Sequence, residues 1–225
     1  MVKLGVALDP AAQYAQGFHP TGTCGVFGAA VAAGKLVKLG QVQMVHAIGI
    51  AGSQAAGLLE FLSEGTYTKR FHAGWGAHSG LIAALLSRDG FTGPATVIEG
   101  KFGFLKAFSP ASLPAKNSTG WCNPCEVMRT NIKPHACCRY KQGPIDCILK
   151  LVQEDGLTVE AIEKVTVSIL KDGFALVAEP CTLKTRPKTI VDAEFSMPFG
   201  GAVAILKGNA FLDAYCLENI ESPEV

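Results

Sequence analysis

A run of small residues constrains this chain more than any other feature. Between positions 24 and 39, Ala, Gly and Val succeed one another with little charge, interrupted by Gly25, Gly28, Gly34, Lys35 and Lys38. A membrane span needs about 20 nearly unbroken apolar residues, so the run reads as a helix packed inside a protein core. Gly40 is the expected stop. A second helix is expected over 41–63, where Val42, Val45, Gly49, Gly52, Ala56 and Leu59 recur at steps of three and four. Each glycine inside a helix costs about 1 kcal/mol against alanine, a cost borne where packing or a site requires it. A third helix is expected over 74–88, ended by Gly90, with Phe102, Phe104 and Phe108 as core aromatics beyond it.

The pattern then changes. Residues 109–120, with two prolines, three serines and Asn117, are the expected linker. Beyond it, Gly143-Pro144 opens a helix over 143–153, with Gly156 after it. Val165, Val167 and Ile169 alternate in an expected strand over 164–171, and a second strand is expected over 174–178. Pro198 precedes a helix over 199–206 that Gly208 closes. The predicted fold is mainly α: an all-helical domain over 1–115, followed by a smaller α+β domain over 116–225.

Charge excludes some functions. The net charge is +1 and only 17% of residues are charged, with no concentrated Lys/Arg patch, so no nucleic-acid partner is expected. No membrane association is expected either, and without an export signal the eight cysteines are read as thiols of a cytoplasmic protein. Cys122, Cys125, Cys137 and Cys138 can be written as a zinc set, but adjacent Cys137 and Cys138 suit tetrahedral ligation poorly. No metal is assigned. No glycine fingerprint follows a strand and no Gly-Lys-Ser/Thr loop is present, so no cofactor is assigned. Ser53 and Ser79 lie outside any nucleophile elbow. A helix arrives within two dozen residues of Met1 with no starting element of its own, which suggests a fragment of something longer.

Three segments can carry chemistry. In Gly17-Phe18-His19-Pro20-Thr21-Gly22-Thr23-Cys24-Gly25, a histidine precedes a glycine-rich helix start, whose amides suit a carboxylate. His19 reads as a general acid or base there, or as a surface residue beside a helix capped by Thr21 or Thr23. The segment Thr66 to His78 gathers Lys69, Arg70, His72 and His78 among glycines and aromatics. Its cations suit a di- or tricarboxylate, and burial can lower a lysine pKa from ~10.4 towards ~7–8. A solvated basic loop is the competing reading. The third segment, Asn131 to Asp146, is cationic and includes Lys133, Arg139 and Gln142, with Asp146 read as a first-turn dipole partner.

Together these segments resemble the MmgE/PrpD family, which includes 2-methylcitrate dehydratase and cis-aconitate decarboxylase. The resemblance lies in Gly17 to Thr23, Gln54-Ala55-Ala56-Gly57, Lys69-Arg70-Phe71-His72-Ala73-Gly74, Gly90-Phe91-Thr92-Gly93-Pro94 and Glu99-Gly100. It continues in Lys133-Pro134-His135-Ala136-Cys137-Cys138 and Phe195-Ser196-Met197-Pro198-Phe199. It implies a large helical domain with a smaller lid, an active site between them, homodimers and metal-independent chemistry. His19, Lys69 and Lys133 match the family's active-site residues, with His72, Arg70, Arg139 and Gln142 as substrate contacts. Gln142 stands where many members carry histidine, and the family's N-terminal part, which usually supplies an Asp and a further His, has no counterpart here.

The expected activity is a lyase reaction, dehydration of a small tricarboxylate such as 2-methylcitrate. His19 would serve as acid or base, Lys69 as stabiliser of developing charge and Lys133 as carboxylate clamp. Decarboxylation or epimerisation of a related polycarboxylate is the alternative within the family. A non-catalytic binding or assembly module is the alternative outside it.

Overall fold

The computed structural model describes residues 1–109 and 125–225. They fall into two compact units, Met1–Phe61 with Tyr67–Thr130, and Leu62–Thr66 with Asn131–Val225. The expected linker lies outside the described residues apart from Ser109, as does the expected boundary at 115/116. Both units are mainly helical.

The first unit contains α1 (Val2–Ala7), α2 (Pro10–Ala15), α3 (Pro20–Leu36), α4 (Gln41–Gly52), α6 (Thr68–Arg88) and α7 (Phe104–Phe108), while α5 (Phe61–Glu64) is a single turn where the chain passes to the second unit. Its core joins Leu4, Leu8, Val26, Phe27, Ile50, Ala83, Phe104 and Leu105. The small residues do what the sequence suggested. A Cβ on Gly80 of α6 would lie 2.4 Å from Ala29 Cβ and 2.6 Å from Ala30 N on α3. One turn earlier, a Cβ on Gly76 would lie 3.4 Å from Val26 N. The helices therefore meet backbone to backbone.

Several boundaries differ from expectation. Helix α3 begins at Pro20 and ends at Leu36, where Lys38 rather than a glycine takes a positive φ of 58°. Gly40 is instead the N-cap of α4, its N–H donating to Gln43 Oε1 at 3.1 Å. Helix α4 stops at Gly52, well short of 63, because Gly57 adopts φ 136° and Phe18 forms an antiparallel bridge with Leu58. Its inward face is Ala47, Ile50 and Ala51, while Val42 and Val45 are exposed. Helix α6 starts six residues earlier than expected, so Lys69, Arg70 and His72 lie on it. Phe104 is buried and Phe108 half-buried, but Phe102 is 90% exposed.

The second unit contains α8 (Gln142–Asp155), α9 (Lys171–Val177), α10 (Cys181–Thr185), α11 (Ile190–Glu194), α12 (Met197–Lys207) and α13 (Leu217–Glu221). Helix α8 packs on α12 through buried Ile145, Ile148, Phe199 and Val203. Gly156 (φ 59°) ends α8 and Gly208 (φ 66°) ends α12, while Ser196 caps α12 by accepting the Phe199 N–H at 3.0 Å. The expected α+β organisation is not found, since no paired strand is present among the described residues of this unit. A strand exists only where a neighbour completes its hydrogen bonds, and among the described residues, positions 164–170 have no such neighbour. The expected second strand is helix α9, whose buried residues Gly173 and Val177 are one turn apart. A short apolar run leaves strand and helix unresolved, and burial decided it.

Among the described residues no helix is long and apolar enough to cross a membrane. The seven described cysteines are free thiols, and Cys122 lies outside the described residues.

Replacing Gly80 with Ala should lower stability by about 1–3 kcal/mol, because overpacking a backbone contact outweighs the gain in helix propensity. Denaturant unfolding of the G80A variant checks this. An unchanged or higher midpoint would contradict the close approach of α3 and α6.

Candidate functional site

In the first unit, the chain entering α3 is fixed from three sides. Leu59 N–H donates to Gly17 O at 2.8 Å, His19 N–H donates to Gly57 O at 3.0 Å, and Pro20 sets the first helical φ. His19 is itself the N-cap, with no side-chain capping bond, so the expected Thr caps are not used. Thr23 instead accepts a hydrogen bond from Gln13 Nε2 at 3.0 Å. The His19 ring is therefore available for another partner.

That partner is His72, on the inner face of α6. The two Nδ1 atoms are 2.9 Å apart, and both residues are buried. Phe61 presents its ring edgewise to both, with centroids 5.6 Å from His19 and 5.9 Å from His72. Gly57 closes the remaining space, since a Cβ there would come within 3.4 Å of His72 Nδ1.

Burial sets the protonation. Removal from water disfavours imidazolium and, with repulsion from His72 and then Lys69, lowers the His19 pKa from 6.5 to about 4. Burial also lowers the His72 pKa. Both rings are neutral at pH 7. A hydrogen bond between two neutral rings through Nδ1 requires one to donate and the other to accept. The donor ring then has a bare, basic Nε2, and the acceptor ring carries its proton on Nε2. Whichever ring donates, the pair holds one base and one acid.

Lys69 precedes His72 by three residues on α6 and is half-buried, near enough for its charge to depress His19. The structure thus brings together His19, His72 and Lys69. Arg70 is exposed, its guanidinium 4.9 Å from the Tyr67 ring centroid.

The second unit holds the other expected residues. Lys133 is exposed, and its Nζ donates to Cys137 O at 3.2 Å. Arg139 is exposed beside Tyr140 in a cavity of about 470 Å³ that Gly143, Pro144 and residues 168–170 complete. Gln142 is buried, and its amide is engaged with backbone. It accepts from His135 N at 2.9 Å and donates to His135 O at 3.0 Å and Cys137 O at 3.3 Å. It thereby shapes the loop bearing Lys133. Asp146 accepts from His135 Nε2 at 2.8 Å, a pairing the dipole reading had not included.

The sequence reading passed over two residues. Phe61 lay within the expected second helix without being singled out, yet it shields both imidazoles. Lys141 is fully buried, donating to Ala193 O at 2.9 Å and Glu194 O at 3.4 Å, with its ammonium 4.8 Å from the Tyr215 ring centroid. Burial lowers its pKa to about 8. Gly200 makes room for it, since a Cβ there would lie 2.5 Å from Lys141 Cε. The Arg139-Tyr140-Lys141 sequence gives no sign of which cation turns inward. Among the described residues no three His, Cys, Asp or Glu side chains gather as a metal site.

The His19 shift has a measurable consequence. Its folded pKa of about 4 lies below its unfolded value of 6.5, so its contribution to stability is complete above pH 6.5 and is lost as pH falls towards 4. Unfolding midpoints should drop between pH 7 and pH 4.5, and the drop should be smaller in His19→Gln. Imidazole proton shifts followed against pH should show His19 titrating well below the free value.

Comparison with known proteins bears on the family of the chain. The model of the MmgE/PrpD N-terminal domain matches residues 1–116, and that of the C-terminal domain matches residues 135–225. A cis-aconitate decarboxylase-like protein of Aspergillus oryzae is 29% identical over 99% of this chain and 48% of its own length. A cis-aconitate decarboxylase of Aspergillus terreus is 26% identical over the same shares. The Homo sapiens cis-aconitate decarboxylase is 36% identical over 46% of this chain and 22% of its own length. The chain spans about half the length of the Aspergillus relatives that it matches.

Proposed function

Because this chain belongs to the MmgE/PrpD family, we propose that it forms part of a lyase acting on a small polycarboxylate. The observation that carries the reading is the buried, neutral His19–His72 pair with Lys69 beside it. Decarboxylation is the first form of the reaction, supported by the names of the relatives. When the carbon–carbon bond to the departing carboxylate breaks, CO2 leaves and the electron pair stays on carbon, conjugated with a remaining carboxylate. Lys69 lowers the energy of that charge, and the Nε2–H of the pair gives one proton to carbon while the bare Nε2 takes one from solvent and the Nδ1 proton shifts between the rings, which keeps both neutral. Lys133 and Arg139 hold further carboxylates.

The second form is dehydration of a tricarboxylate such as 2-methylcitrate, favoured by the pair holding a base and an acid at once. The basic Nε2 removes the proton α to a carboxylate, and the protonated Nε2 accompanies the departing hydroxide as water. Gln142 serves either form by shaping the Lys133 loop. In a homodimeric protein of the cytoplasm, neither form calls for a cofactor.

Incubating the purified protein with cis-aconitate and with 2-methylcitrate, followed by product NMR, separates the two forms. Loss of a carboxyl carbon supports decarboxylation, and a new alkene with all carboxyls retained supports dehydration. Lys69→Ala and Lys133→Ala should each lower kcat/KM by about 10²-fold or more, with the double variant losing less than the product of the two. Unchanged turnover in Lys69→Ala would reject the assignment.

A further inference from the structure

The loop that bears Lys133 is bonded at its far end to helix α11. Cys138 N–H donates to Glu194 O at 3.0 Å, and one residue earlier Cys137 O accepts from Lys133 Nζ at 3.2 Å. Glu194 O is a shared acceptor. It also receives Lys141 Nζ at 3.4 Å, and Ala193 O receives the same ammonium at 2.9 Å. Ala193 and Glu194 are the last two residues of α11, where a helix leaves carbonyls without intrahelical donors. Lys141 caps that end from another part of the chain, while its own amide donates to Cys138 O at 3.1 Å. Cys138, Glu194 and Lys141 therefore close a ring of hydrogen bonds. Gln142 fastens the same loop to the start of α8, and Lys141 fastens it to α11.

Stability alone does not call for a charge at this position. Lys141 is fully buried, and burial lowers its pKa to about 8, which leaves it cationic at pH 7 at the expense of its hydration. An apolar side chain of similar volume commonly replaces a buried ion with no loss of stability. What the ammonium supplies is direction, because charge-assisted hydrogen bonds are short, strong and aimed. Space is kept for it as well, since a Cβ on Gly200 would lie 2.5 Å from Lys141 Cε and 2.7 Å from its Nζ.

We propose that Lys141 is a positioning residue for Lys133: its ammonium ties the 133–138 loop to the end of α11 and so fixes where Lys133 is presented. Lys141 acts through Glu194 O and Cys138 and is not itself a substrate contact. Its service to the reaction rests on the clamp role given to Lys133 above, whereas the tie does not.

Lys141→Met keeps the length of the side chain and removes its charge. Its denaturant midpoint should be unchanged or higher. Its Cys138 amide should exchange hydrogen about tenfold faster than in the unmodified chain, with the amides of α12 at their original rates. Its KM should rise with kcat little changed, lowering kcat/KM about tenfold, but by less than about twofold in a Lys133→Ala background. Gly200→Ala leaves Lys141 intact but fills its place, so it should reproduce both effects and add nothing to Lys141→Ala. Unchanged Cys138 exchange in Lys141→Met and Gly200→Ala would overturn the proposal. An equal loss of kcat/KM with and without Lys133 would do the same, since Lys141 would then serve the fold as a whole. A Lys133→Ala variant with unchanged kcat/KM would instead reject the clamp, and the exchange rates would still decide for or against the tie.

Discussion

The close contact of α3 with α6 is the constraint from which the first unit follows. Glycines at 76 and 80 bring the two backbones together, and His19 at the start of α3 then meets His72 on α6 at hydrogen-bond distance. Water is excluded by the same approach, with Phe61 and Gly57 filling what remains. A histidine pair in water would titrate near neutrality. Here burial removes that charge, and the electrostatics of the site are a result of helix packing.

The second unit shows a different solution to burying polar atoms. Gln142 engages the backbone of the 135–138 loop, and Lys141 places an ammonium against two carbonyls and an aromatic face. Both belong to a short stretch before α8 and at its first turn, where the backbone is still turning. Each replaces lost hydration with fixed partners, as a buried polar group must. The exposed cations Lys133 and Arg139 thus flank a hydrogen-bonded, buried base.

Much of this was legible in the sequence. Glycine and proline marked the ends of α8, α12 and α6, because a left-handed residue or a missing amide is a local requirement. The family motifs singled out His19, Lys69 and Lys133, of which the structure brings His19 and Lys69 together, with His72. What was not legible depends on contact between distant parts of the chain. The His19–His72 bond joins residues 53 positions apart, and no periodicity announces it. The start of α6 was missed because Gly74 and Gly76 looked like a boundary, whereas Gly76 is there for its contact with α3. Alternation at Val165, Val167 and Ile169 described a pattern of side chains, but pairing is decided by whatever backbone comes alongside. Phe102 shows the same limit, since hydrophobicity alone does not fix which aromatic turns inward.

The bond between the two imidazoles also carries a dynamic consequence. Moving its one proton across 2.9 Å, with a compensating exchange at the outer nitrogens, swaps the identities of the rings. The assembly is symmetric in its chemistry though not in its position, and a turnover that takes a proton at one outer nitrogen and gives one from the other leaves both rings neutral with their roles exchanged.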